Sequence, residues 1–120
     1  MSEAEVPAQK TVLIVDDDEE IRHVLRLLFE GEGMEVIGEA ESGVESVPIA
    51  LKAQPDFVIL DYMLPRLDGE GTSEILRAVA PGTKIVAFSA ILEEQPEWAD
   101  AYLNKERISE LMPLLRSFIR

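Results

Sequence analysis

Short apolar runs alternate with amphipathic stretches along the chain. Thr11–Val15 and Phe57–Leu60 are continuously apolar, as strands buried on both faces are. Glu35–Ala40 is a weaker run, which is typical of a strand near the edge of a sheet. The pattern predicts five strands: Thr11–Val15, Glu35–Ala40, Phe57–Leu60, Ile85–Phe88 and Ala101–Leu103.

Helical patterns fill the intervals between these runs. The first helix is predicted from Glu19 to Glu32, because apolar residues recur there at helical spacing and Gly31 and Gly33 follow as a stop signal. Its predicted buried stripe contains Ile21, Val24, Leu25 and Leu28. Further helices are predicted over residues 42–53, 70–79 and about 107–119.

Two of these helices carry unusual residues. Ser42 and Glu45 have the spacing of a capping box at the start of the second helix. Pro48 lies inside that helix and should kink or break it. Pro113 lies inside the last helix in the same way.

Strands that alternate with helices predict right-handed crossovers and a parallel sheet covered on both faces, which is an α/β fold in three layers. Residues 1–10 show no apolar periodicity and are expected to form a flexible tail. The remaining residues, 11–120, are expected to form one domain. In such folds the chemistry collects at the carboxyl ends of the strands.

Composition narrows the functional classes. The 120 residues include 24 Asp and Glu against 11 Lys and Arg, which gives a net charge of −13. Nucleic acids and anionic membranes would repel such a chain, so neither is an expected partner. There is no cysteine, which excludes disulfides and thiolate sites. With no apolar run of membrane length and no basic-then-apolar leader, we expect a cytoplasmic protein.

Chemically useful side chains follow four of the predicted strands. Asp16 and Asp17 follow the first, Asp61 the third, Ser89 the fourth, and Lys105 comes just after the fifth. Parallel strands would bring these groups to one sheet edge. Carboxylates brought together repel one another, so Lys105 and a hard divalent cation, Mg²⁺ above all, are expected to neutralise them.

This set of groups suits phosphoryl transfer. Asp61 is the best candidate nucleophile, because it alone ends a central buried strand as a single carboxylate, and attack on a phosphoryl group would give an aspartyl phosphate. Asp16 and Asp17 are better placed as metal holders. Lys105 and the metal would bind phosphoryl oxygens, and Ser89 would donate a hydrogen bond to one of them.

Four segments in order carry a family resemblance: VLIVDDDEEIR, PDFVILDYMLPRLDG, KIVAFSA and ADAYLNK. The chain resembles the receiver domain of two-component response regulators over about residues 11–119. The resemblance implies a flavodoxin-like (βα)5 fold with strand order 2-1-3-4-5. It also implies a phosphoprotein of a two-component system or phosphorelay, which catalyses no reaction beyond its own phosphorylation and dephosphorylation.

The resemblance also assigns roles and partners. Asp61 matches the phosphoacceptor, with a histidine kinase or histidine phosphotransfer protein as donor. Asp17, Asp61 and the backbone carbonyl of Met63 match the direct Mg²⁺ ligands, and Asp16 acts through water. Ser89 and Tyr102 match the switch residues, and Lys105 matches the lysine of the pocket. Output is expected through an unknown protein target, and a second copy of the chain is a further candidate partner.

Three features depart from the family pattern. Sixteen positions separate Ser89 from Lys105, fewer than is usual, which predicts a shortened or irregular fourth helix of two turns at most. Glu106 stands where the family usually has proline, so a trans peptide bond is expected before it. Met63 and Ile91 are apolar where the family's side chains flank the path of the hydrolytic water, which predicts slow self-dephosphorylation.

Two other hypotheses stay open at this stage. One is a protein-interaction module of receiver fold that no longer cycles phosphate. The other is a haloacid-dehalogenase-like phosphohydrolase, suggested by Asp16-x-Asp18 after an apolar strand with a later Ser and Lys. His23 is predicted to be a surface residue, and the pattern does not decide whether Trp98 lies in the core or contacts a partner.

Overall fold

The computed structural model describes residues 10–64 and 66–119. The predicted tail therefore lies almost wholly outside the described residues. Five strands are present: β1 (Thr11–Val15), β2 (Glu35–Ala40), β3 (Phe57–Leu60), β4 (Lys84–Ser89) and β5 (Ala101–Asn104). The helices are α1 (Glu19–Gly31), α2 (Gly43–Ala53), α3 (Gly69–Val79) and α4 (Leu111–Arg116), with a 3₁₀ helix over Lys105–Glu110 directly before α4.

The strands form one parallel sheet in the order β2-β1-β3-β4-β5, as predicted. β3 lies at the centre of this order and is buried throughout. β2 lies at an edge, which explains its weaker apolar pattern.

The two faces of the sheet carry separate cores. Alternate strand residues such as Val12 and Ile14 pack with Phe29 of α1 and Leu115 of α4. The intervening residues of the strands pack on the opposite face, in a core that includes Leu76 of α3. Because both faces are covered, the strand residues are apolar without a polar alternation.

Two helix predictions were wrong in detail. Val24 is 47% exposed, because α1 turns Leu25 and Phe29, not Val24, onto the sheet. Pro48 does not break α2, which runs continuously from Gly43 to Ala53. Both Pro48 and Val44 are exposed, so water can reach the carbonyl that a proline four residues later leaves unpaired.

The last predicted helix is split in two. Arg107 has non-helical backbone angles (φ −102°, ψ 32°) inside the 3₁₀ helix, and a regular α-helix begins only at Leu111. Pro113 is the third residue of α4, where a backbone N–H has no partner within the helix in any case. The proline therefore favours a helix that starts at Leu111 over one that starts at Arg107.

The segment between β4 and β5 contains no helix. The shortened or irregular fourth helix of the prediction is replaced by bends and turns over residues 90–100. Trp98 in this segment is half-buried and packs against the core on the α2 and α3 face. Across 10–64 and 66–119, the helices lack the combination of length and apolar character that a bilayer crossing requires.

Candidate functional site

The polar residues at the strand ends meet at one edge of the sheet. β3 pairs in parallel with β1 on one side and with β4 on the other, and β4 pairs with β5. Asp16 and Asp61 follow neighbouring strands, Ser89 ends the next one, and Lys105 follows the edge strand. Asp16, Asp61 and Ser89 are buried, although carboxylates and hydroxyls are normally exposed.

Lys105 joins the two buried carboxylates. Its Nζ lies 2.7 Å from Asp16 Oδ2 and 3.2 Å from Asp61 Oδ2. The Lys105 side chain is 18% exposed, whereas those of Asp16 and Asp61 are 2% and 6% exposed. The ammonium is therefore partly exposed and supplies one positive charge to two buried negative ones.

The environment shifts the pKa of both partners. Burial raises the pKa of the Asp61 carboxyl, and the Asp16 carboxylate raises it further, while Lys105 opposes both effects. Burial lowers the pKa of Lys105, but the carboxylates of Asp16 and Asp61 outweigh it and the pKa is raised. The pocket thus holds more negative charge than its lysine neutralises.

Asp17 completes a group that could hold a cation. Carboxylate oxygens of Asp16, Asp17 and Asp61 all lie within 4.8 Å of one another. Asp17 is exposed, so the group opens to solvent on one side. Asp16 Oδ2 is buried and has the Lys105 ammonium as its contact at 2.7 Å. A group of carboxylate oxygens with more negative charge than one lysine neutralises fits Mg²⁺.

Arg22 fixes the end of β1 and was missed by the sequence analysis. Its guanidinium donates to the backbone carbonyl of Asp16 (2.6 Å) and to Glu39 of β2 (3.2 Å). Arg26 also donates to Glu39, at 2.6 Å. No pattern in the sequence marks Arg22, because its role depends on the backbone carbonyl and the carboxylate that the folded sheet places beside it.

Asp18 belongs to the helix and not to the pocket. Its side chain accepts hydrogen bonds from the amides of Glu20 and Ile21 and so caps α1. Asp16 Oδ1 in turn accepts from the Asp18 amide at 2.9 Å. The phosphohydrolase hypothesis needs Asp16 and Asp18 together in the site, and one of the two is used as a helix cap.

Ser89 and Met63 lie beside the pocket. Ser89 is fully buried, and its hydroxyl oxygen accepts a hydrogen bond from the Ile91 amide at 3.2 Å, which leaves its proton available to donate. The Met63 amide donates to Asp61 Oδ1 at 3.2 Å. The side chains of Met63 and Ile91 are 59% and 55% exposed.

Tyr102 lies in β5, with its hydroxyl buried and without a hydrogen-bond partner among the described residues. The peptide bond between Lys105 and Glu106 is trans, as predicted. The Glu106 amide donates to Asn104 Oδ1 at 2.8 Å, so Asn104 caps the 3₁₀ helix that carries Lys105. His23 is exposed on α1, also as predicted.

Comparison with known proteins agrees with this geometry. The family described as the response regulator receiver domain matches residues 12–107. The transcriptional regulatory protein PdtaR of Mycobacterium tuberculosis is 37% identical over 120 residues, covering 95% of this chain. This chain spans only 58% of the length of PdtaR. The chemotaxis protein CheY of Halobacterium salinarum is 40% identical over 103 residues, covering 80% of this chain and 84% of CheY.

A solved structure has the same fold. The chain is similar to a crystal structure of a CheX–CheY complex with BeF3 and Mg²⁺ from Borrelia burgdorferi, with 25% identity and a TM-score of 0.81. The match covers 92% of this chain and 90% of the other. These comparisons give no support to the interaction-module or phosphohydrolase hypotheses.

Proposed function

The chain belongs to the response regulator receiver domain family, and on that premise we propose that Asp61 accepts a phosphoryl group from a phosphohistidine donor. One observation carries this assignment to particular residues. Three carboxylates lie within 4.8 Å of one another, and one lysine contacts the two that are buried. Receiver domains are signalling switches, and this pocket would be the input of the switch.

Asp16, Asp17 and Asp61, with the backbone carbonyl of Met63, are the groups that would hold Mg²⁺. The bound cation would neutralise the excess negative charge and bind a phosphoryl oxygen. The family binds Mg²⁺ at its acidic cluster, and the oxygen-rich, partly open group in this chain suits the same ion.

The transfer is an in-line displacement at phosphorus. A carboxylate oxygen of Asp61 would form the new P–O bond while the P–N bond to the donor imidazole breaks. The imidazole nitrogen would keep the electron pair and take up a proton. Asp61 must be ionised to attack, and the ammonium of Lys105 favours that form against the effects of burial and Asp16. Lys105 would then pair with the incoming phosphoryl oxygens.

Ser89 and Tyr102 would carry the signal away from the pocket. The Ser89 hydroxyl has a proton to donate, and a phosphoryl oxygen on Asp61 would attract it. Ser89 also holds the start of the segment that follows β4 through the Ile91 amide. Tyr102 has a buried hydroxyl without a partner, which a shift of that segment could satisfy. Phosphorylation would thus change which of two surface arrangements is populated.

The proposed donor is a histidine kinase or a histidine phosphotransfer protein. Val24 and Leu27 of α1 are 47% and 59% exposed, and α1 starts directly after the acidic residues of the pocket. Exposed apolar side chains at this position suit a donor whose histidine must reach Asp61. The proposed output is a contact with a protein target, because the charge of −13 disfavours nucleic acid.

The lifetime of the phosphoryl group should be long. Met63 and Ile91 stand two residues after Asp61 and Ser89, both side chains are exposed, and neither can orient a water molecule for attack on the phosphoryl group. We predict a half-life of minutes or longer for the purified phosphoprotein, measured by loss of label after removal of the donor. A half-life of seconds would contradict the prediction. The phosphoryl group should have a shorter half-life on the Met63→Asn variant than on the wild-type protein.

Beryllofluoride tests the proposed site directly. Its BeF3 form mimics a phosphoryl group, so with Mg²⁺ it should give bound ¹⁹F resonances with the wild-type protein and none with Asp61→Asn. Glu35→Gln removes an exposed carboxylate at the start of β2, at the opposite end of the strands from the pocket, and should bind as the wild type does. Equal binding by the Asp61→Asn variant would contradict the assignment.

A further inference from the structure

A groove of about 420 Å³ lies between α3 and the helix-free segment 90–100. On one side are Glu70 and Glu74 of α3, together with Tyr62 from the loop after β3. The other side is formed by residues of the segment itself: Leu92, Pro96, Glu97 and Trp98. The volume is within the usual range of a ligand site, and the groove is separate from the group formed by Asp16, Asp17 and Asp61.

An aromatic stack lines this groove. The rings of Tyr62 and Trp98 are 6.2 Å apart between centroids and tilted by only 16°. Gly69 makes the close packing possible, since a Cβ there would lie 3.1 Å from Trp98 Cη2 and 2.8 Å from Tyr62 Cα. Stacked rings present an electron-rich surface that attracts a planar cation.

The segment that carries Trp98 is held by specific hydrogen bonds. Arg77 donates to the Trp98 carbonyl at 2.9 Å, and the Asp100 carboxylate accepts from the Ile85 amide at 2.7 Å. Gln95 donates to the Ala99 carbonyl at 3.0 Å. The groove is therefore preformed, so an occupant would not have to order this segment when it binds.

The groove carries negative charge without a counter-ion. Glu70, Glu74 and Glu97 line it, and none of them forms an ion pair within 10–64 and 66–119. Glu70 and Glu74 are four residues apart on α3, where like charges repel. A cation between them would relieve this repulsion and pair with both.

From the stack and the charge together, we propose that this groove docks an arginine side chain from a basic segment of a partner protein. A guanidinium is planar, so it can stack on the Tyr62–Trp98 pair while its N–H groups reach the carboxylates of α3. Lysine offers a point charge without the planar surface, and should bind less well. Docking needs no phosphoryl group, so this proposal stands apart from the function proposed for Asp61.

Trp98 is the only tryptophan in the sequence, so its fluorescence reports on the groove directly. The experiment titrates the whole chain with a capped octapeptide that contains three arginines, and with counterparts that carry lysine or uncharged citrulline. We expect a saturable change in Trp98 emission with the arginine peptide. The lysine peptide should bind more weakly, and the citrulline peptide should not bind.

Two double variants separate the groove from general attraction to an acidic protein. E70Q/E74Q should weaken binding of the arginine peptide by about tenfold or more. E35Q/E41Q removes the same charge from two exposed sites elsewhere and should weaken binding by less than about twofold. Equal weakening by both variants would overturn the proposal.

Two other results would also overturn it. Peptide binding detected by calorimetry without a change in Trp98 emission would place the peptide elsewhere on the surface. Trp98 emission that depends on protein concentration without peptide would identify a second copy of this chain as the occupant. Sedimentation velocity over the same concentration range would show that self-association.

Discussion

The acidic pocket and the 90–100 segment follow the strands of one sheet, but different forces position their residues. Asp16, Asp61, Ser89 and Lys105 are brought together by parallel strand pairing, which fixes where each strand ends. Residues 90–100 have no helix or strand, and they are held by hydrogen bonds such as those from Arg77 to the Trp98 carbonyl and from the Ile85 amide to Asp100. Strand pairing thus positions the pocket residues without a helix in the adjacent segment 90–100.

The largest expected effect in the pocket comes from Lys105→Met. The variant leaves the carboxylates of Asp16 and Asp61 buried without their cation, so the free energy of unfolding at pH 7 without Mg²⁺ should fall by about 2–3 kcal/mol. Because the pKa of Lys105 is raised, its stabilising effect is present at neutral pH and is lost only as the pH rises beyond 10.5. Urea denaturation measures the change.

Lys84→Met is the matched control for that variant, because Lys84 is exposed and forms no ion pair within the described ranges. It should change the free energy of unfolding by less than about 0.5 kcal/mol. Mg²⁺ should restore part of the stability of Lys105→Met. Equal losses in the two variants would mean that the pocket lysine has no special electrostatic role.

Gly69→Ala tests the contact between the two regions. A Cβ at Gly69 would lie 2.8 Å from Tyr62 Cα and 2.9 Å from the Asp61 carbonyl oxygen, and backbone atoms cannot move aside cheaply. We expect a loss of about 2 kcal/mol in the free energy of unfolding and a shift of Trp98 emission. Gly82→Ala, whose Cβ would meet no atom within 4 Å, should change neither quantity.

Asp100→Ala tests the segment alone. The variant removes the acceptor of the Ile85 amide and an ion pair with Arg77, which should lower the free energy of unfolding by about 1–2 kcal/mol. Trp98 emission should shift, while binding of beryllofluoride should persist. Glu93→Ala, at an exposed position of the same segment, should leave stability and emission unchanged. Loss of beryllofluoride binding in Asp100→Ala would show that the pocket depends on this segment.

The smallest expected effect has the opposite sign. Since burial and Asp16 raise the pKa of Asp61, its ionised form costs stability, and that cost appears as the pH rises from 3.8 through the raised pKa. Asp61→Asn should therefore raise the free energy of unfolding of the metal-free protein at pH 7, by less than the loss expected in Asp100→Ala, with no gain below pH 3.8. Denaturation across this pH range measures the gain, and a loss of stability at pH 7 would contradict the account.

The parts predicted correctly from the sequence are those fixed by local pattern and sheet topology. Apolar runs predicted the strands, and the positions of Asp61 and Lys105 after their strands predicted that the two side chains meet at one edge of the sheet. Arg22, the Tyr62–Trp98 stack and the unpaired glutamates of the groove depend on contacts between distant residues, which no local pattern reveals. The predicted break at Pro48 was wrong because a helix tolerates a proline whose unpaired carbonyl partner is exposed to water. Val24 was wrongly predicted to be buried because Val24 and its neighbour Leu25 both fit the spacing of the apolar stripe.

Asp61 is proposed as the phosphoacceptor, in a pocket that requires Mg²⁺. The most direct test is intact-mass spectrometry of the chain after incubation with acetyl phosphate and Mg²⁺. Borohydride reduction of a second sample converts an aspartyl phosphate to homoserine, and mass spectrometry of its peptides then locates that residue. We expect one phosphoryl group per chain, homoserine at position 61, and no mass gain without Mg²⁺ or in Asp61→Asn. Homoserine at another aspartate, or an undiminished mass gain in Asp61→Asn, would contradict the proposal.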